Sequence, residues 1–259
     1  MTNASKTRAP LPISEAVILM AGRGSRLRVN GVNLAKPLMP VLGRPLISHI
    51  FETLARAGIT KVSAVIGFES ESIMEQTRPL IPRQLNVRFI RNAEWEKQNG
   101  ISVLAAAGHV ASPFLLTMSD HLFEDAMIDL LLLHAALDQL NLAVDRKLDT
   151  VFDLRDATKI QTQGDRIVAI GKELQHYDAI DTGLFVCPRN IFDYLERAKK
   201  DGDCSLSDGV RLMAADRKAR AVDIGQAWWQ DVDTPEMLEQ AEKHLRESAA
   251  RAEQILTNS

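Results

Sequence analysis

Two arginines and two glycines lie close together early in the chain, in the segment LMAGRGSRL of residues 19–27. Glycines that follow an apolar run let the backbone turn sharply and bring its N–H groups close to an anion. Arg23 and Arg26 add guanidinium groups that can hold phosphate oxygens, and Lys36 follows near enough to return to the same phosphates. The Gly-Lys-Ser/Thr of a P-loop and the third glycine of a dinucleotide fingerprint are both missing. The segment therefore predicts a phosphate-binding turn of another kind.

Two aspartates that are distant in sequence, Asp120 and Asp233, are candidates for binding a metal ion. Asp120 directly follows an apolar run, at the end of a predicted strand, where open α/β sheets place their chemistry. Magnesium typically takes one or two carboxylates together with substrate phosphates. Each aspartate also has a structural alternative, because Asp120 can cap a turn and Asp233 can cap a helix. Asp231 competes with Asp233 for the metal-binding role.

The elements that must position these residues follow a regular alternation. Short apolar runs predict buried strands at residues 16–20, 61–66, 87–90, 114–118 and 142–144. Helical spacing or composition predicts helices at residues 45–57, 100–110, 124–137, 190–199 and 206–215, with a last helix starting near 233–235. Such alternation indicates an α/β fold with a doubly wound, mainly parallel, Rossmann-like sheet. A hairpin around Gly164 predicts a small mixed-sheet insertion.

Composition narrows the class of protein. The chain has 259 residues with a net charge of −3, which argues against nucleic-acid binding through a cationic surface. Residues 1–13 read as a flexible leader and residues 14–259 as a single domain. No apolar run approaches the roughly 20 residues that span a bilayer, so direct membrane insertion is not expected. A cytoplasmic location is expected.

The segment AGRGSRL, followed by KPLMPVLGRPLISHIFETLARAG, resembles the amino-terminal signature of the sugar-phosphate nucleotidyltransferase superfamily. The resemblance implies that the loop wraps a nucleoside triphosphate, with Arg26 and Lys36 as catalytic residues that stabilise charge on the phosphates. It also implies that Mg²⁺ binds at Asp120 and Asp233. The nucleotide-binding residues that it implies on the loop are Leu19, Ala21, Gly22, Gly24 and Ser25.

A second segment, at residues 99–102, is expected on the nucleotide. By resemblance, Asn99, Gly100 and Ser102 lie beside the base and ribose, although Asn99 or Ser102 could simply cap a helix. Gly67 follows the second strand, and its lack of a side chain predicts a close approach of the backbone to the base.

Four further segments resemble the inositol-1-phosphate cytidylyltransferases, which make CDP-inositol for phospholipid synthesis. These segments are MSDHLFE, LAVDR, IGKEL and YDAIDTG. The resemblance implies CTP and a phosphorylated small alcohol as substrates. Members are often fused to a membrane synthase, so a functional link to a separate membrane CDP-alcohol phosphotransferase is expected. The oligomeric state stays open, with a homodimer as one option.

The acceptor is expected beside the predicted hairpin. Lys172 lies there as a third catalytic candidate, facing the acceptor's phosphate, with a solvated lysine as the alternative. The remaining acceptor-binding candidates are Asp145, Asp181, Thr182 and Gly183. An ion pair between Asp145 and Arg146 is an alternative for the first, and a bulge is an alternative for Gly183.

The expected reaction is an in-line displacement at the α-phosphorus of CTP that releases pyrophosphate. The attacking phosphate oxygen is already ionised at neutral pH, so no general base is required. Phosphocholine or an aminoalkylphosphonate are alternative acceptors. A sugar-1-phosphate uridylyltransferase or guanylyltransferase is another alternative, as is a nucleotide-binding regulator without catalysis.

Overall fold

The computed structural model describes residues 13–23, 35–111 and 113–257, apart from the side chains of residues 252 and 255–257. The strands within these ranges are β1 Glu15–Met20, β2 Pro40–Val41, β3 Arg44–Pro45, β4 Lys61–Ile66, β5 Asn86–Arg91, β6 Phe114–Met118, β7 His121–Phe123, β8 Leu140–Asp145, β9 Lys159–Gln163, β10 Arg166–Gly171, β11 Ala179–Cys187, β12 Ala219–Asp223 and β13 Trp229–Asp231. The α-helices are α1 Leu46–Arg56, α2 Ser70–Thr77, α3 Asn99–Ala105, α4 Asp125–His134, α5 Ile191–Ala198, α6 Leu206–Ala215 and α7 Pro235–Thr257. Short 3₁₀ helices span Lys36–Leu38 and Arg78–Leu80.

The main sheet has the strand order β5-β4-β1-β6-β11-β8-β12-β10-β9. The pairs β4–β5, β1–β4, β1–β6 and β8–β12 are parallel. Strands β10 and β11 run against their neighbours, so the other described strands of this sheet all point the same way. The prediction of a mainly parallel, doubly wound sheet is confirmed. The hairpin β9–β10 also pairs with the start of β11, so the insertion is continuous with the main sheet.

Helices cover both faces of the sheet, as the alternation of side chains along β1 requires. Ala16, Ile18 and Met20 point to one face, where they join a core with α1, α4 and α7. Val17 and Leu19 point to the other face, where they join a core with α3, α5 and α6. Successive side chains of a strand alternate between faces, so a continuous apolar run fits a strand that is buried on both sides.

Most predicted elements form close to their predicted bounds. Strands β4 and β6 and helix α6 agree with the prediction to the residue. Helix α3 is shorter than predicted, because the chain passes into turns after Ala105. Helix α7 begins at Pro235 as predicted, but Thr234 supplies the cap: its Oγ1 accepts a hydrogen bond from the N–H of Met237 at 3.3 Å. Asp233 is therefore not the capping residue.

A small ribbon of β7 and β13 was not predicted, and it builds the site. Its antiparallel register places Asp231 opposite His121. Just beyond the ribbon, the N–H of Val232 donates to the carbonyl oxygen of Asp120 at 2.9 Å. The ribbon thus joins the segment after β6 to the segment before α7, which are more than a hundred residues apart.

In the described part of the chain, no helix combines the length and the apolar character that crossing a bilayer requires.

Candidate active site

A cavity of about 510 Å³ opens where β1 and β6 end. Its walls include Ala21 and Gly22 after β1, and Ser119 and Asp120 after β6. This is the carboxyl edge of the parallel strands, where open α/β sheets bind ligands. The ribbon β7–β13 and the segments that flank the hairpin β9–β10 also line the cavity.

A lysine and two aspartates meet at this edge. The Nζ of Lys36 donates to Oδ2 of Asp120 at 2.6 Å and to Oδ1 of Asp233. The three side chains are mostly buried, at 12%, 25% and 18% exposure respectively. Asp231 also lines the cavity, but its carboxylate accepts from the Gln230 side chain. The structure therefore brings Asp120 and Asp233 together around one cationic group.

Neighbouring groups stabilise the ionised form of the Asp120 carboxylate. Burial alone would raise its pKa, but His121 and Lys36 outweigh burial and hold the pKa of Asp120 well below its usual range. Burial would in turn lower the pKa of His121, but the adjacent Asp120 carboxylate outweighs burial and raises it. The pair is joined by a 2.6 Å contact between Nδ1 and Oδ1.

The two aspartates fit a hard divalent cation that also takes ligands from a substrate. One ammonium nitrogen reaches both carboxylates, so the carboxylates lie close enough to share a single cation. Among the described residues, no group of three or more His, Cys, Asp and Glu side chains is arranged to hold a metal alone. Magnesium characteristically completes such a pair of carboxylates with waters and phosphate oxygens. Metal binding at Asp120 and Asp233 stays a prediction that this geometry favours.

The predicted phosphate turn is described only at its start. Leu19, Ala21 and Gly22 line the cavity, as predicted for nucleotide-binding residues. The catalytic candidate Arg26 and the neighbouring loop candidates lie outside the described residues; these neighbours are Gly24 and Ser25.

Asn99 and Ser102 line the same end of the cavity. The Oδ1 of Asn99 accepts from the N–H of Leu206 at 2.8 Å, which ties α3 to the start of α6. The Oγ of Ser102 accepts from the side-chain amide of Asn92 at 3.0 Å. Helix α3 has no side-chain cap at Gln98. Neither side chain caps α3, but Asn99 accepts from the first N–H of α6, so it does serve a helix end. Contact of Asn99 and Ser102 with the nucleotide remains a prediction.

Two glycines predicted at the nucleotide lie against protein. A Cβ on Gly67 would lie 2.2 Å from Cβ of Trp95, and a Cβ on Gly100 would lie 2.5 Å from the carbonyl oxygen of Cys204. Neither glycine is among the residues that line the cavity. The structure thus explains both glycines by close packing, and Gly67 lies against two residues of the cavity wall, Trp95 and the carbonyl oxygen of Ala21.

Three of the residues predicted beside the acceptor line the cavity, and two of them, Lys172 and Asp181, are ionisable. Their contact with the acceptor stays a prediction. The Nζ of Lys172 donates to Oδ1 of Asp156 at 2.6 Å, and about half of the lysine side chain is exposed. Burial raises the pKa of Asp181 to about 6, against weaker opposing effects of the Gly183 N–H and His121. Few interactions therefore offset the cost of ionising Asp181 in the cavity wall.

Asp145 and Thr182 do not reach the cavity, and the prediction that they contact the acceptor is corrected. The side chain of Thr182 is buried and donates to the carbonyl oxygen of Ala143 at 2.8 Å. Asp145 is 3% exposed, and its Oδ2 accepts from the indole N–H of Trp229 at 2.9 Å. The alternative pairing with Arg146 is also wrong, because Asp145 forms its ion pair with Lys147 at 2.8 Å.

Gly183 lines the cavity with a φ of +74°, and it packs against His121. A side chain at this position would both strain the backbone and collide with the imidazole ring.

Sequence reasoning missed several residues of the wall. Trp95, Lys97 and Ser207 line the end nearest the nucleotide candidates, and Asp153 and Asp156 line the end nearest Lys172. The acidic run DRKLDTVFDLRD between predicted strands was the available signal for the aspartates. Trp95 and Lys97 contribute through a loop and Ser207 through the first turn of α6, and the positions of all three depend on long-range packing.

Comparison with known proteins places the chain in a family. A family model described as the MobA-like NTP transferase domain matches residues 16–208. The chain is 32% identical over 240 residues to the bifunctional IPC transferase and DIPP synthase of Aquifex aeolicus, covering 92% of this chain and 53% of that protein. It thus spans about half the length of the curated relatives it matches.

Solved structures share the fold. The inositol-1-phosphate CTP transferase from T. maritima superposes with a TM-score of 0.79 at 22% identity, over 90% of this chain and 98% of that one. A UDP-glucose pyrophosphorylase from Acinetobacter baumannii superposes with a TM-score of 0.69 at 19% identity, over 90% and 93% of the two chains. The family model covers most of the chain, and the cavity of the protein lies at the expected edge of this fold. The protein therefore belongs to the MobA-like NTP transferase domain family.

Proposed function

We propose that the protein is a magnesium-dependent cytidylyltransferase that joins the cytidylyl group of CTP to inositol 1-phosphate and releases pyrophosphate. The observation that carries the proposal is the convergence of Lys36, Asp120 and Asp233 at the carboxyl edge of the sheet. NTP transferases of this family generally use a divalent metal. The two aspartates are the residues that would hold it here.

The chemistry needs positioning and charge neutralisation more than proton transfer. An oxygen of the acceptor's phosphate forms a new bond to the α-phosphorus, and the bond from that phosphorus to the bridging oxygen breaks. The electron pair leaves with pyrophosphate. A bound divalent cation would neutralise charge on the phosphates, and Lys36, displaced by it from the two carboxylates, would contact them. Arg26 is proposed to act on the same phosphates.

The acceptor end of the cavity offers a lysine and an acid with a raised pKa. Lys172 is proposed to exchange its Asp156 partner for the acceptor's phosphate. Asp181, which is half-buried in the cavity wall, is proposed to accept hydrogen bonds from acceptor hydroxyls. Relatives named IPC transferases and the fold match to an inositol-1-phosphate CTP transferase support inositol 1-phosphate as the acceptor.

A second acceptor class is favoured by charge. Asp153, Asp156 and Asp181 all line the acceptor end, and such acidic walls suit a cationic head group. Phosphocholine or an aminoalkylphosphonate is therefore the competing acceptor. The synthase activity in the names of the bifunctional relatives belongs to those proteins; for this chain, we propose a functional link to a separate membrane CDP-alcohol phosphotransferase.

A pyrophosphate-release screen tests the proposal. Each of the four NTPs is combined with inositol 1-phosphate, phosphocholine, aminoethylphosphonate or glucose 1-phosphate. We expect turnover with CTP and inositol 1-phosphate, and loss of that turnover in Asp120→Ala and in Asp233→Ala. Asp129→Ala, which removes an exposed aspartate of α4, is the matched control. Full activity in both site variants would reject the assignment of the aspartates.

A further inference from the structure

Beside Asp120 lies a group of side chains that the proposed reaction does not use, and two of them, His121 and Trp229, also line the cavity. The first is His121, whose Nδ1 lies 2.6 Å from Oδ1 of Asp120. Because the carboxylate is ionised, the imidazole N–H is the donor. The other oxygen of the same carboxylate accepts from Lys36. One oxygen of Asp120 is thus held by His121 and the other by Lys36.

The imidazole of His121 is held on two sides. Its ring stacks on Trp229, with centroids 6.0 Å apart and planes inclined by 16°. Against its edge lies Gly183, where a Cβ would come within 2.6 Å of the imidazole Cδ2. The positive φ of Gly183 and the absent side chain together leave room for the ring.

Trp229 is itself anchored by a buried carboxylate. Its indole N–H donates to Oδ2 of Asp145 at 2.9 Å. The other oxygen of Asp145 accepts from the backbone N–H of Lys147 at 2.8 Å and pairs with that residue's ammonium group. Asp145 is therefore fully engaged inside the protein, and a buried, fully satisfied polar group of this kind restrains what it binds.

We infer that Asp145, Trp229 and His121 form a positioning array that fixes the Asp120 carboxylate in the orientation a divalent cation requires. The inference rests on the proposed function, since it takes Asp120 as a ligand of that cation. It also gives Asp145 and Gly183 a role in the site without contact with the acceptor. Partners that orient a metal-binding carboxylate typically contribute roughly 10–100-fold to metal affinity.

Three substitutions separate the donor from the packing. His121→Phe keeps a flat ring on Trp229 and removes the N–H that reaches Asp120. His121→Asn keeps a nitrogen donor near the position of Nδ1. Trp229→Phe keeps an aromatic partner for His121 and removes the hydrogen bond to Asp145. The matched control is Trp228→Phe, because Trp228 stacks on His244 and lines a different cavity.

The experiment measures the affinity for Mn²⁺ of the full chain without substrates and with CTP, by loss of the free-ion signal in electron paramagnetic resonance. We expect His121→Phe to weaken binding by roughly 10–100-fold and Trp229→Phe by a smaller factor. His121→Asn should recover much of the affinity, and Trp228→Phe should bind like the wild type. The kcat of His121→Phe should return towards the wild-type value at saturating Mg²⁺.

Two results would contradict the inference. Wild-type Mn²⁺ affinity in both His121→Phe and Trp229→Phe, together with loss of affinity in Asp120→Asn, would overturn the positioning array alone. Unchanged affinity in Asp120→Asn would instead remove Asp120 from the cation site and reject the proposed function with it. If His121→Phe fails to fold, Trp229→Phe carries the comparison against Trp228→Phe.

Discussion

Lys36 occupies the position in which a cation balances two carboxylates. The sequence placed Lys36, Asp120 and Asp233 in one site, because each falls beside a predicted element end and matches a family motif. It did not show that the lysine bridges the two aspartates. Nor did it separate Asp145, which is buried behind the site, from Asp181, which lines it. That separation depends on the register of two paired strands, β8 and β11.

The first residue-scale prediction concerns Lys36→Met. Without the ammonium group, the carboxylates of Asp120 and Asp233 face each other and repel. The free energy of unfolding should therefore fall by roughly 2–3 kcal/mol. This loss is smaller than for a fully buried ion pair, because the cavity admits water. Urea unfolding measures the loss, and millimolar Mg²⁺ should restore part of it. Lys61→Met, at an exposed pair, is the control. An unchanged unfolding free energy without metal would contradict the bridge.

The second residue-scale prediction concerns Asp181→Asn. Burial raises the pKa of Asp181 from 3.8 to about 6, so the folded state favours the protonated acid. The stability that this acid contributes is present below pH 3.8 and is lost as the pH rises through about 6. At pH 7.5 the free energy of unfolding of the asparagine variant should therefore exceed that of the wild type by up to roughly 3 kcal/mol.

The same variant should lose function while it gains stability. The asparagine side chain still accepts from the Gly183 N–H but lacks the negative charge proposed for the acceptor, so the KM for the acceptor should rise. Unfolding free energies of the two proteins across the pH range check the first half. Parallel stability curves with no divergence between pH 4 and 7 would contradict the raised pKa.

The secondary-structure elements explain which parts of the site could be predicted from the sequence. Apolar runs and helical spacing located the long strands and helices, because burial on the sheet requires those patterns. Strands β7 and β13 have three residues each and pair across more than a hundred residues, so no local pattern indicates them. The ribbon that unites Asp120 with Asp233 is therefore a product of tertiary packing. Helix α2 was missed for lack of a clear apolar stripe.

An element-scale prediction concerns the contact between the end of β4 and the loop before α3. In Gly67→Ala, the added Cβ would lie 2.2 Å from Cβ of Trp95, so the loop must shift. Because Trp95 lines the cavity, the KM for CTP should rise by about ten- to a hundredfold. Gly108→Ala adds a Cβ with nothing within 4 Å and is the control. A KM within twofold of the control would show that this wall does not touch the nucleotide.

At the scale of the whole molecule, one sheet carries both halves of the cavity. Strands β1 and β6 with helix α3 line the end assigned to the nucleotide, while β11 and the segments that flank the β9–β10 hairpin line the acceptor end. The alternation of strands and helices predicted this class of fold and the edge that holds the site. It could not predict how the β9–β10 hairpin joins the main sheet, since that depends on its pairing with β11.

A whole-molecule prediction follows from a cation shared by protein and nucleotide. At about a hundredfold excess over Kd, Mg²⁺ and CTP together should raise the Tm by roughly 5–10 °C. This total shift should exceed the sum of the shifts that the two ligands cause separately. Thermal unfolding with each ligand and with both measures this excess. Asp233→Asn should lose the excess and keep the effect of CTP alone. Strictly additive shifts in the wild type would indicate separate sites.

The most direct measurement is diffraction from crystals grown with CTP and Mn²⁺, recorded near the manganese absorption edge. The anomalous map should show a peak within coordination distance of one oxygen of Asp120, one oxygen of Asp233 and the triphosphate, with the Lys36 ammonium moved onto the phosphates. A triphosphate bound in the cavity with manganese elsewhere, or with the two carboxylates separated, would contradict the central claim.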